Sequence, residues 1–110
     1  MLPTELEFLQ ITSATANREE AERLAAALVE RRLAACVQIL GPIRSVYRWQ
    51  GNVDQADEWL CLIKTTRERY AAVEAAIREL HSYDFPEIIA TPIVAGSDGY
   101  LAWLAESVDH

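Results

Sequence analysis

The run "AACVQILGPIRSVYRWQGNVDQADEWLCLIKTT", residues 34–66, most constrains what this chain can fold into. Val37 and Ile39 alternate with Cys36, Gln38 and Leu40, and Ile43, Tyr47 and Trp49 resume after Gly41-Pro42. The spacing predicts one long strand with a bulge or kink at that pair, then a polar turn at Gln50 to Gln55. On the return, Trp59, Cys61 and Ile63 alternate with Leu60 and Leu62, so the inner part of the second strand is apolar on both faces. A straight strand from Cys36 to Trp49 would extend about 46 Å. A compact domain of this length has a radius of gyration near 13 Å and a diameter of about 34 Å. The hairpin should therefore overhang its own domain. Its distal part carries Val46, Tyr47, Trp49, Val53 and Trp59, which one chain would leave wet, so a second copy is expected to cover them. The competing reading is a sharp bend at Gly41-Pro42 that folds the strand back over its own sheet.

The rest of the chain supplies the partners of that hairpin. Leu6, Phe8, Leu9 and Ile11 form a first strand, apolar on both faces and so central in a sheet. Asn17 and Glu20 have capping-box spacing, and Ala21, Leu24, Ala25, Leu28 and Val29 continue a helix to about Arg32. Thr65 and Glu68 repeat the capping pattern before a stripe of Tyr70, Val73, Ile77 and Leu80. "PEIIATPIV" is a fourth strand whose Pro92 argues for a sheet edge, and Ser97 is placed to cap a last helix carrying Tyr100, Leu101, Trp103 and Leu104. The order β-α-β-β-α-β plus a terminal helix predicts an α+β, ferredoxin-like split βαβ arrangement in a single domain over 1–110.

A formal charge of −7 at pH 7 disfavours a nucleic-acid partner, since such affinity comes from Lys and Arg against phosphates. No apolar run approaches the roughly 20 residues of a membrane span, and "MLPTELEFLQIT" lacks a basic, apolar secretory leader. The expected location is the cytoplasm. Cys36 and Cys61 lie in apolar strands without metal or redox spacing and are expected as free buried thiols.

Glycine-rich phosphate loops, GxSxG, HExxH and paired cysteine ligands are all lacking, and no nucleophile-base pair stands out. Histidines are confined to His81 and His110. His81 sits in "HSYDFPE" at the end of the second helix, where it serves the helix terminus or, with Tyr83, Asp84 and Glu87, a ligand site. Lys64 ends an apolar strand and either pairs with a carboxylate such as Glu87 or binds an anion. Trp49, Trp59 and Trp103 read as core or interface anchors.

The blocks "RLAACVQI", "SVYRWQG", "EWLCLIKT", "HSYDFPEIIATPI" and "GYLAWL", in this order, closely resemble the CutA family of divalent-cation-tolerance proteins. The resemblance implies a tight homotrimer built through the long hairpin, similar in architecture to PII signalling proteins. It implies tolerance of copper and other divalent metals, with copper binding in some members, and no enzymatic activity. Metal-binding members carry a cysteine at the position of Ser13 and two histidines at Leu80 and His81, so His81 alone remains as a metal ligand. No cofactor is required on this reading; copper or another divalent cation is the candidate ion. Lys64, Tyr83, Glu87 and Trp103 are the candidate lining of a subunit-interface pocket for a metal or small ligand. The alternatives are a PII-like regulatory trimer sensing an anionic small molecule, with Arg44 and Arg48 assisting Lys64, and a trimeric protein-interaction scaffold.

Overall fold

In the computed structural model, which describes residues 7–109, strands and helices follow the expected order. They are β1 (Phe8–Thr15), α1 (Arg18–Glu30), β2 (Cys36–Trp49), β3 (Asn52–Thr66), α2 (Tyr70–Leu80), β4 (Ile89–Ile93) and α3 (Asp98–Ser107). Leu6, read as part of the first strand, and His110 lie outside the described residues. Spatial order is β2-β3-β1-β4, with every neighbouring pair antiparallel. This is the ferredoxin-like arrangement, with β1 central and β4 at an edge. Pro92 stands opposite Leu9 on that edge, where its missing N–H costs no ladder bond on the open side.

Cross-strand partners Ile11 and Ile63 share the sheet face covered by α1 and α2, where Leu24, Leu28, Val73 and Ile77 close the main core. Phe8 lies on the other face, and that end of it is covered by Leu101 and Leu104 of α3 and by Val108 just beyond the helix. The Asn17 carboxamide oxygen accepts the Glu20 N–H at 2.8 Å, which starts α1 as its sequence predicts.

Four local expectations are corrected. The polar stretch after Trp49 is a turn only at Gln50 and Gly51, with φ of 49° and 83°. Positive φ at both positions matches a two-residue hairpin turn to the strand twist, so Asn52 to Gln55 continue the ladder with side chains in water. Thr65 does not cap α2: it is buried in β3, and its hydroxyl donates to the Leu33 carbonyl at 2.6 Å. A 3-10 turn at Arg67–Arg69 leads into the helix instead. Ser97 occupies the N-cap position of α3, but its carbonyl, not its hydroxyl, accepts the Leu101 N–H at 3.0 Å. The fourth strand is shorter than "PEIIATPIV", because Ile88 turns to pack on the core and pairing with β1 begins at Ile89.

The long hairpin is as expected. Its register shifts between Leu40 and Ile43, at Gly41-Pro42, and the strand then runs on. The molecule measures 50 × 25 × 22 Å, so the hairpin projects and does not fold back. Val46 and Val53 are each 62% exposed, and Tyr47 and Trp49 are also in solvent. Trp59 differs from that expectation. It packs against the main core, because Gly41 has no side chain to exclude its indole; a Cβ there would stand 2.3 Å from Trp59 Cδ1.

Candidate functional site

The "HSYDFPE" segment leaves α2 at His81, which has extended backbone and a fully buried side chain. One ring nitrogen, Nε2, lies 2.7 Å from the Ala14 carbonyl oxygen, and the Tyr83 N–H points at Nδ1 at 3.1 Å. A carbonyl only accepts and an N–H only donates, so His81 is held as the Nε2–H tautomer with both nitrogens engaged. Beneath it lies Glu20, a buried carboxylate that accepts the Ser82 N–H at 2.8 Å and the Ser82 hydroxyl at 3.1 Å. Its Oε1 also comes within 3.5 Å of His81 Nδ1. The two Ser82 donors are what satisfy the buried carboxylate.

Tyr83 extends the cluster to the hairpin. Its ring lies 4.8 Å from that of His81, and its hydroxyl donates to Glu58 Oε2 at 3.0 Å. The segment is thus tied to β1, α1 and β3 at once. Burial and then the Glu58 carboxylate push the Tyr83 phenol up to about 12, and burial followed by Glu20 pushes the Cys61 thiol up to about 11. For both groups the fold favours the protonated form, so the unfolded chain ionises first as pH rises. Their contribution is complete below the ordinary values of 9.0 and 10.0 and is lost as pH climbs through about 11 and 12. Denaturant midpoints measured across that window should fall, and Tyr83→Phe should flatten the upper part of the fall. An unchanged profile in Tyr83→Phe would count against a shared Tyr83–Glu58 proton.

The remaining candidates do not converge here. Lys64 stands opposite Gln10, four residues along β1 from Ala14 and so about 13 Å away. It donates to Gln38 Oε1, not to Glu87, which is exposed and unpaired among the described residues. Trp103 lies on α3, half in solvent, against Tyr100.

A copper ion does not fit this donor set. His81 has no free nitrogen, Leu80 is partly exposed hydrocarbon, and Ser13 is a buried hydroxyl with no partner among the described residues. Its cross-strand neighbour Cys61 is a protonated thiol at neutral pH. Among the described residues no three His, Cys, Asp or Glu side chains gather as a metal group. Burial and two hydrogen bonds make His81 a latch between the end of α2 and β1.

Sequence reasoning missed Glu20 and Glu58. Glu20 was assigned to the capping box, yet it falls on the buried stripe of α1 with Ala21, Leu24 and Leu28. A carboxylate on an apolar stripe was the available signal. Glu58 carried none, since strand alternation does not show which loop will reach it.

The residues that carry this architecture match one family model, the CutA1 divalent ion tolerance proteins, over residues 9–107. The chain belongs to the CutA1 family. A divalent-cation tolerance protein CutA of Thermus thermophilus is 46% identical over 91 residues, covering 83% of this chain and 88% of that one. Among solved structures, CutA1 from Oryza sativa superposes with a TM-score of 0.95 at 37% identity, covering 98% of this chain and 99% of that chain. A protein described as the periplasmic CutA of Archaeoglobus fulgidus superposes at 0.90 with 39% identity, covering 93% and 99%. No helix among the described residues is long and apolar enough to cross a membrane.

Proposed function

We propose that this CutA1-family chain acts in divalent-cation tolerance as a non-enzymatic homotrimer of the cytoplasm, assembled through the β2-β3 hairpin. The observation that carries the reading is the 50 Å long axis with Val46, Tyr47, Trp49 and Val53 exposed along the projecting ribbon. Apolar surface of this kind on a strand pair is stable in water when another chain covers it. Free Cys36 and Cys61 support a reducing compartment.

Cation handling on this reading uses oxygen donors brought together between copies, because the imidazole of one chain is already spent. Exposed Glu87 and the Tyr83–Glu58 rim are the groups available to such an interface. Oxygen sites of this type are weak and poorly selective for copper.

Mass measurement in solution should give three times the 12.4 kDa chain, and Val46→Asp combined with Val53→Asp should shift it to the monomer. Titration with Cu(II) should show weak binding that the dissociated variant loses. A monomeric wild type would sink the assembly. Tight Cu(II) binding with imidazole-nitrogen couplings in electron paramagnetic resonance would sink the oxygen-donor reading.

A further inference from the structure

β1 pairs with β3 from Phe8 to Thr15, and its last partner on that strand is Trp59. From Glu58 outward β3 keeps only β2 as a neighbour, so the projecting part of the hairpin is a two-stranded ribbon. Ribbons of two strands are marginal by themselves and twist more than a full sheet. The ladder is also interrupted here: two residues of β2, Gly41 and Pro42, stand where β3 has Trp59, and pairing resumes at Ile43 and Glu58. Loss of the third strand and the irregularity in β2 fall together, which makes the root of the ribbon the place where it can bend.

Two side chains brace that root, one on each face of β3. Trp59 lies over Gly41 and packs against the main core. Glu58, which strand alternation turns to the other face, accepts the Tyr83 hydroxyl at 3.0 Å. Among the described residues this is the only side-chain hydrogen bond or ion pair that ties residues 43–58 to the rest of the chain. Those of Arg44 and Arg48 stay within the ribbon, on Asp57, Gln55 and the Gly51 carbonyl. Tyr83 is itself held. Its N–H meets His81 Nδ1 at 3.1 Å, and its ring lies 4.8 Å from that imidazole, which is fixed to the carbonyl of Ala14 near the end of β1. The brace therefore starts where the third strand stops.

We propose that Tyr83 is a positioning residue that sets the angle of the ribbon on the domain, and that the "HSYDFPE" loop thereby controls how the ribbon meets another copy. From Glu58 to the turn the ribbon is about 23 Å long, so a rotation of about 10° at its root carries the tip about 4 Å. That is the span of one apolar side-chain contact, enough to unseat Val46 and Val53 from a neighbouring chain. A closed ring of copies needs one fixed rotation between neighbours, which a loose root would not supply. Disturbance of the Glu20–Ser82 contact reaches the ribbon through the same loop. The brace is a property of one chain; its effect on association rests on the assembly proposed above.

Tyr83→Phe keeps the ring against His81 and removes only the hydroxyl. Hydrogen–deuterium exchange of the full chain should show residues 43–58 exchanging about three- to tenfold faster than in wild type, the loss of one hydrogen bond to a carboxylate, with β1 and α2 unchanged. Glu58→Ala should give the same acceleration and the double variant no more, while Glu58→Gln, which keeps an acceptor for the phenol, should give less. An unchanged ribbon, equal acceleration in β1 and α2, or additive single effects would overturn the brace. Sedimentation across a dilution series, in enough urea to bring wild type into its dissociation range, reads the effect on association. Tyr83→Phe should dissociate at a concentration about fivefold or more above wild type. A ribbon that loosens with no shift in dissociation would overturn its control of association. A wild type that is monomeric at every concentration would overturn the assembly itself, and the brace would stand or fall on the exchange alone.

Discussion

Glu20→Ala lowers the stability of this protein by about 3 kcal/mol, the largest cost expected from removing one polar side chain. The buried carboxylate accepts two hydrogen bonds from Ser82, which stands at the surface, and faces the latched, buried His81 ring. Its loss leaves the Ser82 N–H unpaired and frees the loop that holds Tyr83 against Glu58. In a domain of this size the change is a fall of roughly 12 °C in Tm at fixed protein concentration. Glu20→Gln retains a carbonyl acceptor for Ser82 and should cost about half as much. Thermal and denaturant unfolding of the two variants checks this. A loss below about 1 kcal/mol in Glu20→Ala would mean that the His81–Ala14 bond alone holds the loop.

Gly41→Ala is the second large effect. The added Cβ would lie 2.3 Å from Cδ1 and 2.6 Å from Cγ of Trp59, atoms at the root of the indole that no small rotation moves away. Trp59 must leave its place on the core or the bulge must open, at a cost of about 2–3 kcal/mol. The indole N–H is buried without a partner among the described residues, so displacement exposes it to water and red-shifts its fluorescence. In a Trp59→Leu background the same glycine substitution should cost far less, because the clash is between these two residues. Equal costs in both backgrounds would place the strain in the strand itself.

Much of the architecture was legible in residue order. Alternation through β2 and β3, the capping spacing of Asn17 and Glu20, and Pro92 at an edge led to the correct strand and helix order, because each depends on neighbours a few residues away. The hairpin overhang was legible for a different reason: strand length scales with residue number while the domain's diameter does not. Turn and cap details were less so. Gln50–Gly51 and Thr65 were decided by strand twist and by a carbonyl at Leu33, thirty-two positions away.

The site divides along the same line. Sequence determined that His81, Tyr83 and Glu87 share one short loop, that Ser13 and Leu80 stand where stronger ligands would be, and that Lys64 is the chain's only lysine. Only the tertiary structure decided that His81 is spent on Ala14 and Tyr83, that Glu20 lies beneath it, and that Lys64 donates to Gln38 rather than to Glu87. Hydrogen-bond partners more than sixty residues apart are chosen by how helix and sheet layers meet. Local periodicity reports which face a side chain takes, and the packing of layers determines what that face meets.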